Sequence, residues 1–146
     1  MPTEDSSYTL NYTDVIETVI ASLDAYNNAL VSSNDEGHIW TFKYGSVEVF
    51  IQLTGDSEDD SFTVWSPVLQ LPVQNQGALM EQLMELNWLS TFEAHFSVFN
   101  QQVVTVTTRS VADLSPGEVA HLITLVASIA DDHDQDLQAA FPAVAA

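Results

Sequence analysis

The stretch HIWTFKYGSVEVFIQL, residues 38–53, decides the fold. Aromatic and β-branched residues crowd both halves, His38 to Tyr44 and Val47 to Leu53, and the Gly45-Ser46 pair between them suits a tight turn. The period is two, and the reading is a β-hairpin. Upstream the period is 3.6: Val15, Ile16, Val19, Ile20, Leu23 and Leu30 recur at helical spacing, with Asp14 and Glu17 where a first turn favours negative charge. That pattern predicts one amphipathic helix running from Asp14 to the polar cluster Ser32 to Gly37. Residues 1–10 are polar and acidic and read as a flexible leader.

Downstream of the hairpin, Gly55 to Ser61 is an acidic loop and Phe62 to Leu71 a third strand, in which Pro67 implies an edge position or a bulge. Asn75 to Asn87 reads as a second helix. At about 100° per residue, Leu79, Leu83 and Leu86 fall on one line and Met80, Met84 and Trp88 on another, leaving Glu81, Gln82 and Glu85 a narrow polar arc. Such a helix needs cover on two sides. A small domain with one sheet supplies one, so the second cover falls to another subunit.

Two further strands, Phe92 to Phe99 and Gln102 to Arg109, join through Asn100-Gln101. Ser115-Pro116-Gly117-Glu118 then combines a Ser-x-x-Glu capping box with proline at the first helical position, and Leu114 is placed to staple against Val119. The third helix continues to about Leu137, and residues 142–146 form a loose tail. Residues 11–141 therefore make one domain with the order α-β-β-β-α-β-β-α. Hairpin-length connections forbid parallel crossovers, so the class is α+β with an antiparallel sheet packed by helices.

Composition removes whole classes of partner. Of 146 residues, Lys43 and Arg109 are the only basic ones against 21 carboxylates, a formal charge of −19. Two cations cannot build the basic stripe that nucleic acid requires or the polybasic patch that an anionic membrane requires. The field favours partners that are neutral, apolar or basic. No cysteine is present, which excludes thiolate chemistry and iron–sulfur ligation. With neither an apolar leader nor a membrane-length apolar run, the chain reads as soluble and cytoplasmic.

The sequence carries neither a catalytic constellation nor a cofactor motif. Asp56, Glu58 and Asp60 begin like a calcium loop, but Ser61 stands where glycine is demanded and Pro67 where a bidentate glutamate belongs. Asp132, Asp134 and Asp136 fail in the same way at Leu137 and Ala143. Glu118-x-x-His121 is half of a di-iron motif on a chain that lacks the other half. No nucleophile elbow, Walker loop or dinucleotide fingerprint occurs. Arg109, the only guanidinium, reads most simply as an intramolecular clasp to Asp113 or another acid. The rival use is to hold an anion together with His95.

Several stretches resemble the YbjN family of small bacterial proteins labelled sensory transduction regulators: Val68-Leu69-Gln70-Leu71-Pro72, Leu83-Met84-Glu85-Leu86-Asn87, Arg109 through Ser115, and Ile129-Ala130-Asp131-Asp132. The resemblance covers about Gly37 to Phe141. It implies a fold similar to the type III secretion chaperones, with the same element order, a homodimeric state and a taste for unfolded segments of client proteins. The expectation is a non-enzymatic, homodimeric protein-binding module, chaperone-like or regulatory, with a protein or peptide client. Met80, Met84 and Trp88 are expected to meet the second copy, and Phe50 and Phe99, opposite their core neighbours by alternation, the client. The alternative is a small-ligand or anion sensor built on Arg109 and His95.

Overall fold

The computed structural model describes residues 11–145; the leader expected over residues 1–10 lies outside them. Among the described residues three helices and six strands follow in the order α1 (Tyr12–Leu23), β1 (Leu30–Asn34), β2 (Gly37–Tyr44), β3 (Val47–Leu53), β4 (Ser61–Gln70), α2 (Gln76–Leu89), β5 (His95–Phe99), β6 (Gln102–Ser110) and α3 (Pro116–Ala140). The strands form one antiparallel sheet in the order β1-β2-β3-β4-β6-β5. This is the α+β architecture expected from periodicity, with one strand more.

The extra strand corrects the first helix. The helix ends at Leu23, not in the cluster after Leu30, because the Asp24 carboxylate accepts the backbone N–H groups of Tyr26, Asn28 and Ala29 at 3.3, 2.8 and 2.9 Å. An acid that can bond the backbone ahead of it competes with helix continuation, and Asn27 completes the reversal at φ 53°. Leu30 then opens β1, paired with Thr41. Pro67 produces the bulge and not the edge: β4 is central, and its register with β6 shifts between Pro67 and Leu69.

Both hairpin turns read from the sequence are two residues long, as is the β1–β2 turn at Asp35-Glu36. Tyr44 pairs with Val47 across Gly45-Ser46, where Gly45 has φ 57° and any Cβ would collide with the Asp131 carboxylate. Asn100 and Gln101, at φ 54° and 62°, turn β5 into β6.

The helices share one core with one sheet face: Trp40, Phe42, Ile51, Phe62, Val64 and Phe96 pack with Ile16, Leu79, Leu83, Ile123 and Val126. Trp40 Nε1–H donates to Glu17 at 3.0 Å and the Tyr12 hydroxyl donates to the Leu114 carbonyl at 2.7 Å, which pins α1 to β2 and to the start of α3. The capping box of α3 forms in both directions, Glu118 N–H to Ser115 Oγ at 3.1 Å and Ser115 N–H to Glu118 Oε1 at 3.0 Å. Leu114 and Val119 are both buried. The helix runs to Ala140, past the expected Leu137. Beyond it, in the segment expected to be loose, Ala143 forms an isolated bridge with Val73.

Candidate functional site

Register decides which side chains the helices leave uncovered. Paired residues on neighbouring antiparallel strands share a face, so Phe50 pairs with Trp65 and Trp65 with Val106, and Pro67 pairs with Val104, all on the face opposite the core residues Ile51, Val64 and Thr105. None of the uncovered-face aromatics belongs to the core cluster. Instead they make a row of their own. Phe50 stacks on Trp65 with ring centroids 5.3 Å apart, and Trp65 meets Phe99 edge-on at 6.3 Å. Such pairs are each worth about 0.5–1.5 kcal/mol beyond area burial, so the row is a stable ridge rather than three loose side chains.

The ridge separates two grooves. One, of about 290 Å³, has Gln52, Thr63, Val104 and Val106 on its walls beside Trp65 and Phe99. The other, of about 430 Å³, takes in Phe50, Trp65 and Phe99 together with Glu48, Asp134 and Gln138. Sequence alternation finds Phe50 and Phe99 but misses Trp65. The signal is present: Trp65 alternates out of phase with the buried Val64 and Phe62, and the β3–β4 register sets it beside Phe50.

A second exposed apolar region lies on α2. Leu79 and Leu83 are buried, and Leu86 and Met80 pack partly against the core. Met84 is 61% exposed and Trp88 79%, and Leu89 and the following Phe92 are exposed at 73% and 80%. Alternation alone starts β5 at Phe92, with that ring on the core side. The strand starts instead at His95, and Phe92, at φ 56°, turns outward. The α2 helix abuts the β5 edge through Asn87, whose Oδ1 accepts the Phe96 N–H at 2.7 Å while its Nδ2 donates to the Phe96 carbonyl at 3.2 Å. The side-chain amide fills the place of a neighbouring strand and blunts that edge near its start.

The expected anion pair does not converge. His95 pairs with Val106 and Arg109 with Phe62; Val106 and Arg109 are three positions apart on β6, so His95 and Arg109 lie on opposite faces. Arg109 is engaged internally: its Nη1 donates to Glu118 at 2.6 Å, Nη2 to the Ala112 carbonyl at 2.7 Å and Nε to the Ser110 carbonyl at 2.9 Å. The clasp closes on Glu118, not Asp113. The Ser115 N–H, and after it the Arg109 guanidinium, hold the Glu118 carboxyl below the usual range. Glu93 is likewise lowered, first by its hydrogen bond with His121 at 3.2 Å.

The acidic loop is occupied by its own hydrogen bonds. Asp60 accepts from the Ser57 N–H at 3.0 Å, the Ser57 hydroxyl at 2.9 Å and the Thr54 hydroxyl at 3.0 Å, which lower its carboxyl in that order. Asp134, 3% exposed, takes the Ser46 hydroxyl at 2.7 Å. Among the described residues no three His, Asp or Glu side chains gather as metal ligands, and no helix is long and apolar enough to cross a membrane.

The architecture is a helix-and-sheet sandwich of the α+β class, with one sheet face and part of α2 left uncovered. The chain belongs to the YbjN family, described as "Putative bacterial sensory transduction regulator", whose match spans residues 12–139. Among solved structures it is similar to a chain of the ExsC–ExsE complex, with 14% identity, a TM-score of 0.55 and coverage of 85% of this chain and 91% of that one. It is also similar to a chain of the HopA1–SchA chaperone–effector complex, with 10% identity, a TM-score of 0.57 and coverage of 85% and 93%. At these identities the likeness is one of fold. No curated protein matches the sequence.

Proposed function

We propose that this chain is a non-enzymatic protein-binding module, chaperone-like or regulatory, that works as a homodimer. The observation that carries the reading is the exposure of Met84, Trp88, Leu89 and Phe92 in one region. Burying a large apolar side chain is worth about 1.5–3 kcal/mol. In a two-fold dimer both copies bury these four, roughly 12–24 kcal/mol in all against a cost of joining two bodies of roughly 4–15 kcal/mol, and a mid-range surplus of about 8 kcal/mol corresponds to a dimer of micromolar affinity. A second copy of α2 offers the same patch and so the self-complementary surface that a two-fold dimer needs.

The client then falls to the uncovered sheet face, on the ridge of Phe50, Trp65 and Phe99. The likeness in fold to a chain of a chaperone–effector complex supports a protein client, and the choice of face rests on the exposed ridge. The ridge is an apolar strip on a face otherwise carrying polar residues such as Gln52, Thr63 and His95, suited to a polypeptide segment laid across strands. Asn87 obstructs addition of a strand at Phe96 on β5, which leaves the face rather than that edge as the place of contact.

Light scattering of the eluting peak tests the reading. The intact chain should elute at twice 16.0 kDa at tens of micromolar, and the double variant Met84→Glu/Trp88→Glu should elute as a monomer that is still folded by circular dichroism. A monomeric wild-type protein at that concentration overturns the homodimer.

A further inference from the structure

The aromatic ridge is bordered by carboxylates on one side only, and that asymmetry carries an inference about the client. Trp65 and Phe99 border both grooves, but Glu48, whose cross-strand pair is Lys43, and the buried Asp134 line only the second, while the first is walled by Val106 and, at its floor, the buried Val104. Ring faces attract a cation through the aromatic quadrupole, and Trp does so best. A carboxylate close by adds an ordinary ionic attraction that the low-dielectric wall of a groove strengthens. The Asp134 carboxylate has a single hydroxyl, that of Ser46, within hydrogen-bond reach of its two oxygens, at 2.9 and 2.7 Å. One hydroxyl proton cannot satisfy both oxygens.

Resting on the reading of this face as the client surface, we propose that the ridge selects a partner polypeptide in extended form that carries an arginine or lysine two residues from an aliphatic side chain. The aliphatic group fills the Val104–Val106 groove, and the cation lies against Trp65 on the Glu48–Asp134 side. Residues two apart on an extended segment project to the same side at a spacing of about 6–7 Å, which matches the distance across a single indole ridge. The charge of −19 brings such a segment to the surface but does not by itself choose where it binds. The ridge supplies the choice.

The test uses the full chain and three fluorescein-labelled ten-residue peptides at roughly physiological salt, read by polarisation. One alternates valine and threonine with a central Val-Thr-Arg; the others carry glutamine or glutamate in place of the arginine. The arginine peptide should bind about ten-fold more tightly than the glutamine peptide, and the glutamate peptide should bind weakest. Trp65→Leu should remove most of that preference while leaving the glutamine peptide nearly unchanged. Phe99→Leu, at a site 57% exposed and outside the core, gives the same reading where Trp65→Leu fails to fold. Equal binding of the arginine and glutamine peptides overturns the cation preference and leaves the client surface standing. A preference for arginine that Trp65→Leu and Phe99→Leu both leave intact, and that salt abolishes, also overturns it, because net charge then explains everything. Failure of all three peptides to bind overturns the client surface itself.

Discussion

Helices α2 and α3 differ in what their apolar residues are for. In α3 nine residues are buried, the N-terminus is closed by a two-way capping box, and the outward positions are mostly polar. In α2 only Leu79 and Leu83 are buried, the N-cap Asn75 sits at φ 57° with no side-chain cap bond, and Met84, Trp88 and Leu89 face outward. A helix whose apolar surface is used up inside the subunit belongs to the fold. One whose surface is half left over is, on the proposed reading, kept for a partner, since contiguous exposed apolar patches mark interaction sites. The sheet repeats the contrast: one face is core, and the other carries an aromatic ridge outside that core.

The contrast is broken most forcefully at Ile123. Ile123→Ala, deep in α3, should cost about 2–5 kcal/mol of folding stability in a urea titration, the range for emptying a core site. Next in size is Trp88→Glu, which should weaken self-association by about 100-fold, a hot-spot loss of roughly 2–3 kcal/mol, while moving subunit stability by less than about 0.5 kcal/mol. Dilution series in an analytical centrifuge and urea midpoints of the same sample separate the two. If Trp88→Glu instead unfolds the subunit, α2 is structural after all.

The caps give a finer comparison. Ser115→Ala should cost about 1 kcal/mol, the usual value of a lost N-cap. Asn75→Gly, at a left-handed position with no cap bond to lose, should cost less than about 0.5 kcal/mol. Equal losses would remove the distinction between the two helix starts.

Acid supplies the smallest effect. Glu118 is held below its ordinary value of 4.5 by the Ser115 N–H and the Arg109 guanidinium. Its folded value is therefore depressed, so its stabilisation is present above about pH 4.5 and fades as pH falls through the lower folded value. The stability difference between the wild type and Glu118→Gln should shrink as the buffer is taken below about pH 4.5. A difference that stays constant down to about pH 3 would show that the carboxylate charge is not what holds the clasp.

Much of the fold is legible in the sequence, for local reasons. The Gly45-Ser46 hairpin, the Ser115 cap and the two strands around Asn100-Gln101 are written in residues whose backbone preferences hold without tertiary help. Strand β1 is not, because Leu30 lies at a helical interval from Leu23 and only the wrap of backbone N–H groups onto Asp24 breaks the helix there. At the candidate site Met84, Trp88 and Phe99 are visible as apolar residues in excess of what one core can take. Trp65 is not, since its importance depends on a cross-strand register with Phe50 that joins distant stretches of chain. Arg109 and His95 look available together until register puts them on opposite faces of the sheet.

Hydroxyl-radical footprinting over roughly a hundred-fold range of protein concentration puts the leftover surface of α2 to the most direct trial. Met84 and Trp88 should be oxidised rapidly in the dilute sample and become protected as concentration rises into the tens of micromolar, while the buried Trp40 stays unreactive throughout. Oxidation of Met84 and Trp88 at one unchanging fast rate across the whole range would contradict the claim that a second copy covers them.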